Sequence, residues 1–157
     1  MTVVLDANIL LRFADPTAVQ HPTAVAALSS LRAQGESLRT VPQSLYEFWV
    51  VATRPVANNG LGLSVAECEQ TLTRFEGIFP LLSDPPALFA EWRMLVVAHG
   101  CHGKVAHDAR YVVALRALGL TRLLTFNAAD FARFPGITVL DPAAVGAPFP
   151  PWADLLV

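Results

Sequence analysis

The chain has 157 residues, of which 54% are hydrophobic and 15% are charged, and its formal net charge is −2. This composition excludes a disordered chain and predicts a single globular domain with a sizeable core. One lysine stands against ten arginines, so the charge pattern shows no basic surface for a phosphate backbone. A nucleic-acid ligand would therefore need another source of positive charge.

The cysteines and the N-terminus indicate a cytoplasmic protein. Cys68 and Cys101 form no CxxC pair, which is typical of reduced thiols rather than a disulfide framework. Cys68 shares a helical face with Leu72 and Phe75, so we expect it in the core. The N-terminus lacks the basic segment and cleavage site of a signal peptide, and no apolar run approaches the roughly 18 residues of a membrane helix. We therefore expect a cytoplasmic chain without a membrane span.

Five short apolar runs have the length of β-strands and alternate with segments of helical period. They are Val3–Leu5, Leu38–Val41, Ile78–Leu82, Leu123–Phe126 and Ile137–Leu140. The runs lack strict polar alternation, as expected when a parallel sheet is covered on both faces. Their order predicts an α/β domain with helices on both sides of a central sheet.

The helices are marked by their caps and by the glycines that follow them. In chain order, the first two predicted helices are Pro22–Gln34, which ends before Gly35, and the segment PQSLYEFWVVATR. The third runs from Ser64 to about Glu76 and has a capping box between Ser64 and Glu67. The fourth is capped and started by Ser83-Asp84-Pro85-Pro86 and runs to His99, and the fifth is Val105–Leu118, which ends before Gly119. The Pro-rich tail is predicted to be an irregular segment on the surface. We therefore expect one domain at 1–142 and a tail at 143–157 packed on it.

Asp6 is the only charged residue in the stretch VVLDANILL. It follows the first predicted strand, so in a parallel sheet its carboxylate would point into the crevice at the carboxyl ends of the strands, where such folds bind ligands. A helix N-cap explains the same residue equally well, since Asp at this junction accepts backbone N–H bonds. Position alone leaves both interpretations open.

Glu47 is the only acid in a helix that is apolar on nearly every side. Such a helix is expected to be buried all round. A carboxylate there costs several kcal/mol unless it is paired or binds a metal. The local candidate for a partner is Arg54, but it lies seven residues further along, two turns away.

Two further acids stand beside apolar elements. Asp108 shares a helical face with Tyr111, Val112 and Leu115, so it opens a stripe that must point inward, although an acid in a first turn is also favoured by the helix dipole. Its neighbours His107 and Arg110 are expected on the exposed side. Asp130 follows a predicted strand that runs into polar residues, where turns and caps are the simpler explanation; these residues are Thr125 and Asn127.

A crevice at the carboxyl end of a parallel sheet could collect all four acids. Like charges about 4 Å apart repel by roughly 4 kcal/mol at an effective dielectric constant of 20. A divalent cation relieves this repulsion, and an all-oxygen ligand set suits Mg²⁺ or Mn²⁺. Such an ion would also supply the positive charge that the composition lacks and could activate water against a phosphodiester.

The four acids resemble the motifs of PIN-domain ribonucleases, in particular VapC-type toxins. The motifs are VVLDANILL, VPQSLYEFW, HDARYVVA and LLTFNAADFARF, the last followed by GITVLDP, and they span residues 3–142 in the family's order. The resemblance implies a PIN-like (Rossmann-like) α/β/α sandwich with a central, mainly parallel five-stranded sheet. It also implies Mg²⁺- or Mn²⁺-dependent hydrolysis of RNA phosphodiester bonds and inhibition by a small antitoxin. Residues 1–142 would then be the nuclease domain.

Carried over by motif, the principal metal ligands would be Asp6 and Asp108, and Glu47 and Asp130 would complete the site directly or through water. The supporting polar groups would be Asn8, Thr125 and Asn127. Asn8 departs from the family, because many members carry a hydroxyl residue at this place. Its contact to the metal-bound water or to the neighbouring acid is therefore left open.

Two other classes remain as alternatives. A Mg²⁺-dependent phosphohydrolase or phosphotransfer domain also places an Asp after its first strand, but the haloacid dehalogenase type needs a second Asp where Asn8 stands, and no glycine-rich loop supports nucleotide binding. A non-catalytic PIN-like module that binds a partner or RNA is the second alternative. RNA cleavage that requires a divalent ion would separate the enzyme from the module.

Two remaining clusters have simpler explanations. The histidines and Cys101 around the loop HGCHG could bind zinc, but their spacing is not a standard one, so Lys104 or a histidine is a better candidate for a contact to RNA phosphates; the histidines are His99, His102 and His107. The apolar tail residues suit a homodimer or antitoxin interface as well as a cover for the core edge. These residues are Phe149, Pro150, Pro151 and Trp152.

Overall fold

The computed structural model describes residues 1–145 of the chain. Its strands are β1 (Thr2–Leu5), β2 (Ser37–Arg39), β3 (Arg122–Leu124) and β4 (Thr138–Leu140). Its α-helices are α1 (Ala7–Ala14), α2 (His21–Ala33), α3 (Pro42–Ala52), α4 (Val65–Ile78), α5 (Leu88–Ala98), α6 (Val105–Ala117), α7 (Ala128–Phe131) and α8 (Pro142–Val145), with a short 3₁₀ turn at Val56–Asn58. None of these helices is long and apolar enough to cross a membrane.

The four strands form one parallel sheet in the order β2-β1-β3-β4. Strand β1 is central, with β2 on one side and β3 on the other. The chain therefore reverses its direction of winding between β1 and β3. In open parallel sheets this position leaves a crevice at the carboxyl ends of the strands.

The predicted strand at Ile78–Leu82 is wrong, so the sheet within residues 1–145 has four strands instead of five. Ile78 ends helix α4, and only Leu81 pairs with the sheet, through a single parallel bridge to Thr40. Pro80 carries no backbone N–H and cannot donate to a ladder. The pairing is therefore limited to the bonds that flank Leu81, in which Thr40 and Leu82 donate their N–H groups.

Side chains of the central strands alternate between two cores, as a sheet with both faces covered requires. Val3, Leu5 and Leu124 belong to the core under helices α1 to α4. Val4 and Leu123 belong to the core under α5, α6 and α7. This arrangement confirms the predicted α/β/α sandwich.

The helix predictions agree with the structure apart from their ends. The Ser64–Glu67 capping box is present, and Gly35 and Gly119 follow helices α2 and α6 with positive φ angles of 77° and 67°. Helix α4 runs through Gly77 instead of ending before it. Asp84 does not cap helix α5, because its carboxylate pairs with an arginine of α6.

The expectation that α3 is buried all round is also wrong. Tyr46 and Val50 are 65% and 56% exposed, although Phe48 between them is fully buried. The helix therefore covers the sheet with one face and leaves an apolar face in water.

The predicted tail lies mostly outside the described residues. Residues 143–145 form part of α8 and are helical rather than irregular. The interface predicted at Phe149–Trp152 lies beyond them. The division at 142 stays a prediction.

Candidate active site

Asp6 lies where β1 ends, beside the end of β3. Its backbone N–H donates to the carbonyl of Leu124 over 3.0 Å, which continues the ladder between the two strands. Its side chain accepts from the N–H of Asn8 at 3.3 Å and caps helix α1. The residue thus serves as a cap and also lies at the carboxyl ends of β1 and β3, where parallel sheets of this kind form their crevice, so the two interpretations of the sequence are compatible.

Two polar side chains orient the Asp6 carboxylate. The Thr125 hydroxyl donates to Oδ2 at 2.6 Å, and the Asn8 amide donates to the same oxygen at 2.8 Å. The Asn8 amide also reaches the Thr125 hydroxyl at 2.9 Å, and its own oxygen accepts from the N–H of Phe126 at 3.1 Å. Asn8 therefore keeps the contact to the neighbouring acid that its departure from the family left open. Within residues 1–145, Oδ1 accepts the longer bond from the Asn8 N–H.

The pKa of Asp6 is raised to about 6, mainly by burial and also by the negative charge of Glu47, although hydrogen bonds from Thr125 and Asn8 act in the opposite direction. The carboxylate is only 6% exposed. A buried carboxylate that keeps a raised pKa despite several donors is short of positive charge.

Asp108 has an even less compensated environment. Its pKa is raised to about 6, mainly by burial and also by the negative charges of Asp130, Asp6 and Glu47, while Lys104 acts in the opposite direction. Its Oδ2 atom is buried and has no hydrogen-bond partner among residues 1–145. Buried carboxylate oxygens normally have partners, so this atom is a candidate ligand for a cation.

Two buried hydroxyl groups hold helices α3 and α6 against the end of β1. Ser44 donates to the carbonyl of Leu5 at 2.7 Å. Tyr111, one turn after Asp108, accepts from the N–H of Ala7 at 3.2 Å. Both bonds flank Asp6 in the chain, so the acids of α3 and α6 are fixed relative to the strand end.

Glu47 lies at the mouth of the crevice with its side chain about one-third exposed. Its Oε1 accepts from the Gln43 amide at 2.8 Å and lies 3.4 Å from Nδ1 of His107. The partner suggested by the sequence, Arg54, makes neither contact. Glu47 therefore faces helix α6 rather than its own helix end.

Asp130 is held by a cation. Its Oδ2 accepts from Lys104 at 3.2 Å, and the lysine side chain is 77% exposed. An ion pair this exposed contributes little to stability, so Lys104 is free to exchange partners. The side chain of Asn127 is exposed and has no hydrogen bond within residues 1–145. The backbone N–H of Asn127 donates to the Thr125 hydroxyl.

Among residues 1–145, no group of three or more His, Cys, Asp or Glu side chains is placed to hold a metal ion. This holds for the four acids and for the cluster around Cys101, where His99 instead contacts the Phe134 ring at 5.4 Å between centroids. The four-ligand set stays a prediction. The charges of the four acids nonetheless act on one another, as the pKa of Asp108 shows.

The sequence-based interpretation missed Gln43 and the role of Arg110. Gln43 is buried and bonds to Glu47, and Arg110 bonds to both Gln43 and Asp84. Arg110 was expected on the exposed side, but its side chain is only 25% exposed. The spacing of four between Gln43 and Glu47 is a usable signal on a helix, whereas the pair with Asp84 joins residues 26 positions apart.

No protein-family model and no curated protein matches the chain. Solved structures do match. VapBC2 from Rickettsia felis bound to a promoter DNA fragment gives a TM-score of 0.66 at 16% identity, covering 89% of this chain and 98% of that chain. FitAcB from Neisseria gonorrhoeae gives a TM-score of 0.61 at 19% identity, covering 89% of this chain and 97% of that chain. A toxin–antitoxin complex from Klebsiella pneumoniae gives a TM-score of 0.59 at 20% identity, with the same two coverages.

The chain has a PIN-like fold. Identities of this size concern the fold alone, so residue roles must come from the geometry of the chain itself. In this PIN-like fold the ends of β1 and β3 lie beside the buried Asp6 and the half-buried Asp108, with two more acids further out. The PIN-like fold predicted from the motifs is therefore confirmed, with four strands instead of five.

Proposed function

We propose that the protein is a Mg²⁺- or Mn²⁺-dependent endoribonuclease and the toxin of a toxin–antitoxin pair. The observation that carries this proposal is the pair Asp6 and Asp108. Both carboxylates have pKa values raised to about 6 by burial, and one buried oxygen of Asp108 has no partner among residues 1–145. Two carboxylates in this setting destabilise the fold, and a domain without catalytic function would have no need of them at the switch point of the sheet.

The donor set fits a hard divalent cation. Mg²⁺ is commonly held by one or two carboxylates and keeps several waters. Asp108 Oδ2 has no hydrogen-bond partner among residues 1–145, and Asp6 Oδ1 accepts a long bond from the Asn8 N–H, so these two residues would hold the ion. Glu47 and Asp130 would contact its water ligands. When bound, such an ion activates water and neutralises charge on a phosphodiester.

The other residues of the crevice have roles that do not depend on the ion. Thr125 and Asn8 fix the rotamer of Asp6 by occupying its Oδ2 atom. Lys104 is exposed at the rim and can leave Asp130 to contact a phosphate of the RNA. His107 lies beside Glu47 and is 70% exposed, so it can hydrogen-bond the substrate.

We further propose two protein partners, an antitoxin and a second copy of the chain. The antitoxin is proposed because the structural neighbours are toxin–antitoxin complexes. The second copy is proposed because apolar side chains of α5 are exposed to water, Phe89 by 69% and Val97 by 76%. A two-fold axis between Arg93 and Met94 would set Phe89 against Ala98 of the second copy and Val97 against Ala90. Large side chains then face small ones, as a self-complementary interface requires.

The test is cleavage of a labelled single-stranded RNA of mixed sequence by the purified protein. We expect cleavage with Mg²⁺ or Mn²⁺, none in a chelator, and none with Asp6→Asn or Asp108→Asn. Glu69→Gln, which removes an exposed carboxylate of α4, is the control and should cleave normally. Cleavage by either aspartate variant at the wild-type rate would show that the metal assignment is wrong.

The same assay addresses the non-catalytic alternative. A wild-type protein that binds RNA but leaves it intact with both ions would be a PIN-like binding module. The natural RNA target and the antitoxin need a cellular experiment. Sequencing RNA ends after induced expression, together with co-expression of the upstream neighbouring reading frame, would identify both.

A further inference from the structure

Gln43 is a buried polar side chain that the proposed reaction does not use. It lies on α3, one turn before Glu47, and is 4% exposed. Its amide nitrogen donates to Glu47 Oε1 and to the carbonyl of His107, both over 2.8 Å. Its amide oxygen accepts from Arg110 at 3.2 Å. One side chain therefore joins an acid of α3 to two residues of the helix that carries Asp108.

The orientation of this amide is determined by its partners. Arg110 is a donor only, so the amide oxygen must face it. Glu47 and the His107 carbonyl are acceptors, so the NH₂ group must face them. The reverse orientation would place a donor against Arg110 and an acceptor against two acceptors. Asp84 holds the other side of the Arg110 guanidinium and fixes it in place.

The hydrogen bonds of the Gln43 amide restrict two groups beside the crevice, the Glu47 carboxylate and the His107 carbonyl. Glu47 is partly exposed and would otherwise be free to turn towards water. The His107 carbonyl belongs to the first turn of α6, immediately before Asp108. Gln43 thus fixes the Glu47 carboxylate and the start of α6 with the same amide group, and it sets the position of one relative to the other.

We propose that Gln43 is a positioning residue that holds Glu47 at the metal-binding crevice and ties it to the first turn of α6. The inference rests on the proposed function, because its consequence is tighter binding of the divalent ion and its waters. Groups that orient metal ligands typically change metal affinity by about 10- to 100-fold when they are removed. A residue with a purely structural role would change stability and leave metal affinity unaltered.

The test compares the Mn²⁺ dissociation constants of purified variants, measured from free Mn²⁺ by electron paramagnetic resonance. Gln43→Met keeps the length and burial of the side chain but removes all three hydrogen bonds, and we expect it to weaken Mn²⁺ binding about 10-fold or more. Arg110→Met frees the orientation of the amide and should weaken binding in the same direction. Gln70→Met, an exposed glutamine of α4, is the matched control and should bind as the wild type does.

A double-mutant cycle identifies the route of the effect. If Gln43 acts through Glu47, then Gln43→Met should add no further loss of Mn²⁺ affinity to Glu47→Ala. Additive losses would overturn the inference, because they would mean that Gln43 acts independently of Glu47. A lowered melting temperature with unchanged Mn²⁺ affinity in Gln43→Met would overturn it as well.

Failure of the two proposals is distinguishable. A wild-type protein that binds Mn²⁺, with Gln43→Met binding it equally well, would overturn the role of Gln43 alone. A wild-type protein that does not bind Mn²⁺ would overturn the proposed metal-dependent function, and the role of Gln43 with it.

Discussion

Replacing Asp108 by asparagine should make the metal-free protein more stable. The substitution keeps the size of the side chain and removes a charge whose pKa burial raises from 3.8 to about 6. The Asp108 side chain accepts no hydrogen bond within residues 1–145, although its Oδ2 atom is buried. The variant therefore loses no contact that the native carboxylate makes there.

The size of the effect follows from the pKa. A difference from 3.8 to about 6 corresponds to about 3 kcal/mol for a fully buried group at about 1.36 kcal/mol per pH unit. Asp108 is only half-buried, so solvent screening reduces this value to about 1 kcal/mol. In a chain of this size, about 1 kcal/mol raises the melting temperature by roughly 2–4 °C.

The gain should depend on pH in a defined direction. The folded state holds the Asp108 proton more tightly than the unfolded state, so the wild type loses stability as pH rises from about 4 to about 6. The difference between variant and wild type should therefore be close to zero near pH 4 and complete near pH 7.

The assay is thermal unfolding in a chelator at both pH values, followed by circular dichroism. Glu69→Gln removes an exposed charge and should leave the melting temperature unchanged. Addition of Mg²⁺ or Mn²⁺ should stabilise the wild type and not the variant, because only the former binds the ion. An Asp108→Asn melting temperature at or below the wild-type value near pH 7 would refute the reasoning, and so would a gain of equal size near pH 4.

Three further predictions concern the support of the crevice, the core and the surface. Thr125→Val removes the hydroxyl that donates to Asp6, and we expect a loss of about 1–3 kcal/mol in denaturant unfolding; an unchanged midpoint would show that this bond is dispensable. Phe48→Ala opens a cavity in the core and should cost about 3–5 kcal/mol, whereas a loss below about 1 kcal/mol would mean that the core collapses around it. Val97→Glu should convert a dimer into a monomer in light scattering, with Val65→Glu on α4 as the control, and a mass unaffected by Val97→Glu would exclude the α5 interface.

Much of the fold follows from local sequence. The apolar runs of β1 and β3 are buried on both faces, so their lack of polar alternation identified a covered parallel sheet. Caps and glycines set most ends of the predicted helices to within one or two residues, because they satisfy local backbone groups. The start of α5 is the exception, since Asp84 does not cap it. The strand at Ile78–Leu82 was mispredicted because its composition suits a strand while Pro80 interrupts the hydrogen bonding.

The acids of the site were recognisable because charges in apolar stretches are costly and need a reason. Their partners were not, since hydrogen bonds such as that of Thr125 to Asp6 join residues 119 positions apart. Arg110 shows the same limit, because nothing near it in sequence indicates that Asp84 will draw it inward.

The sequence by itself determined the layered α/β architecture and the acids of the crevice, because hydrophobic period, caps and isolated charges are local properties. Only the tertiary structure decided how those acids are held. It gave Asp6 two side-chain donors, left an oxygen of Asp108 without a partner in the described part of the chain, and joined Glu47 to α6 through Gln43. These contacts depend on how segments that are distant in the sequence pack against each other, and a local sequence pattern does not indicate that packing.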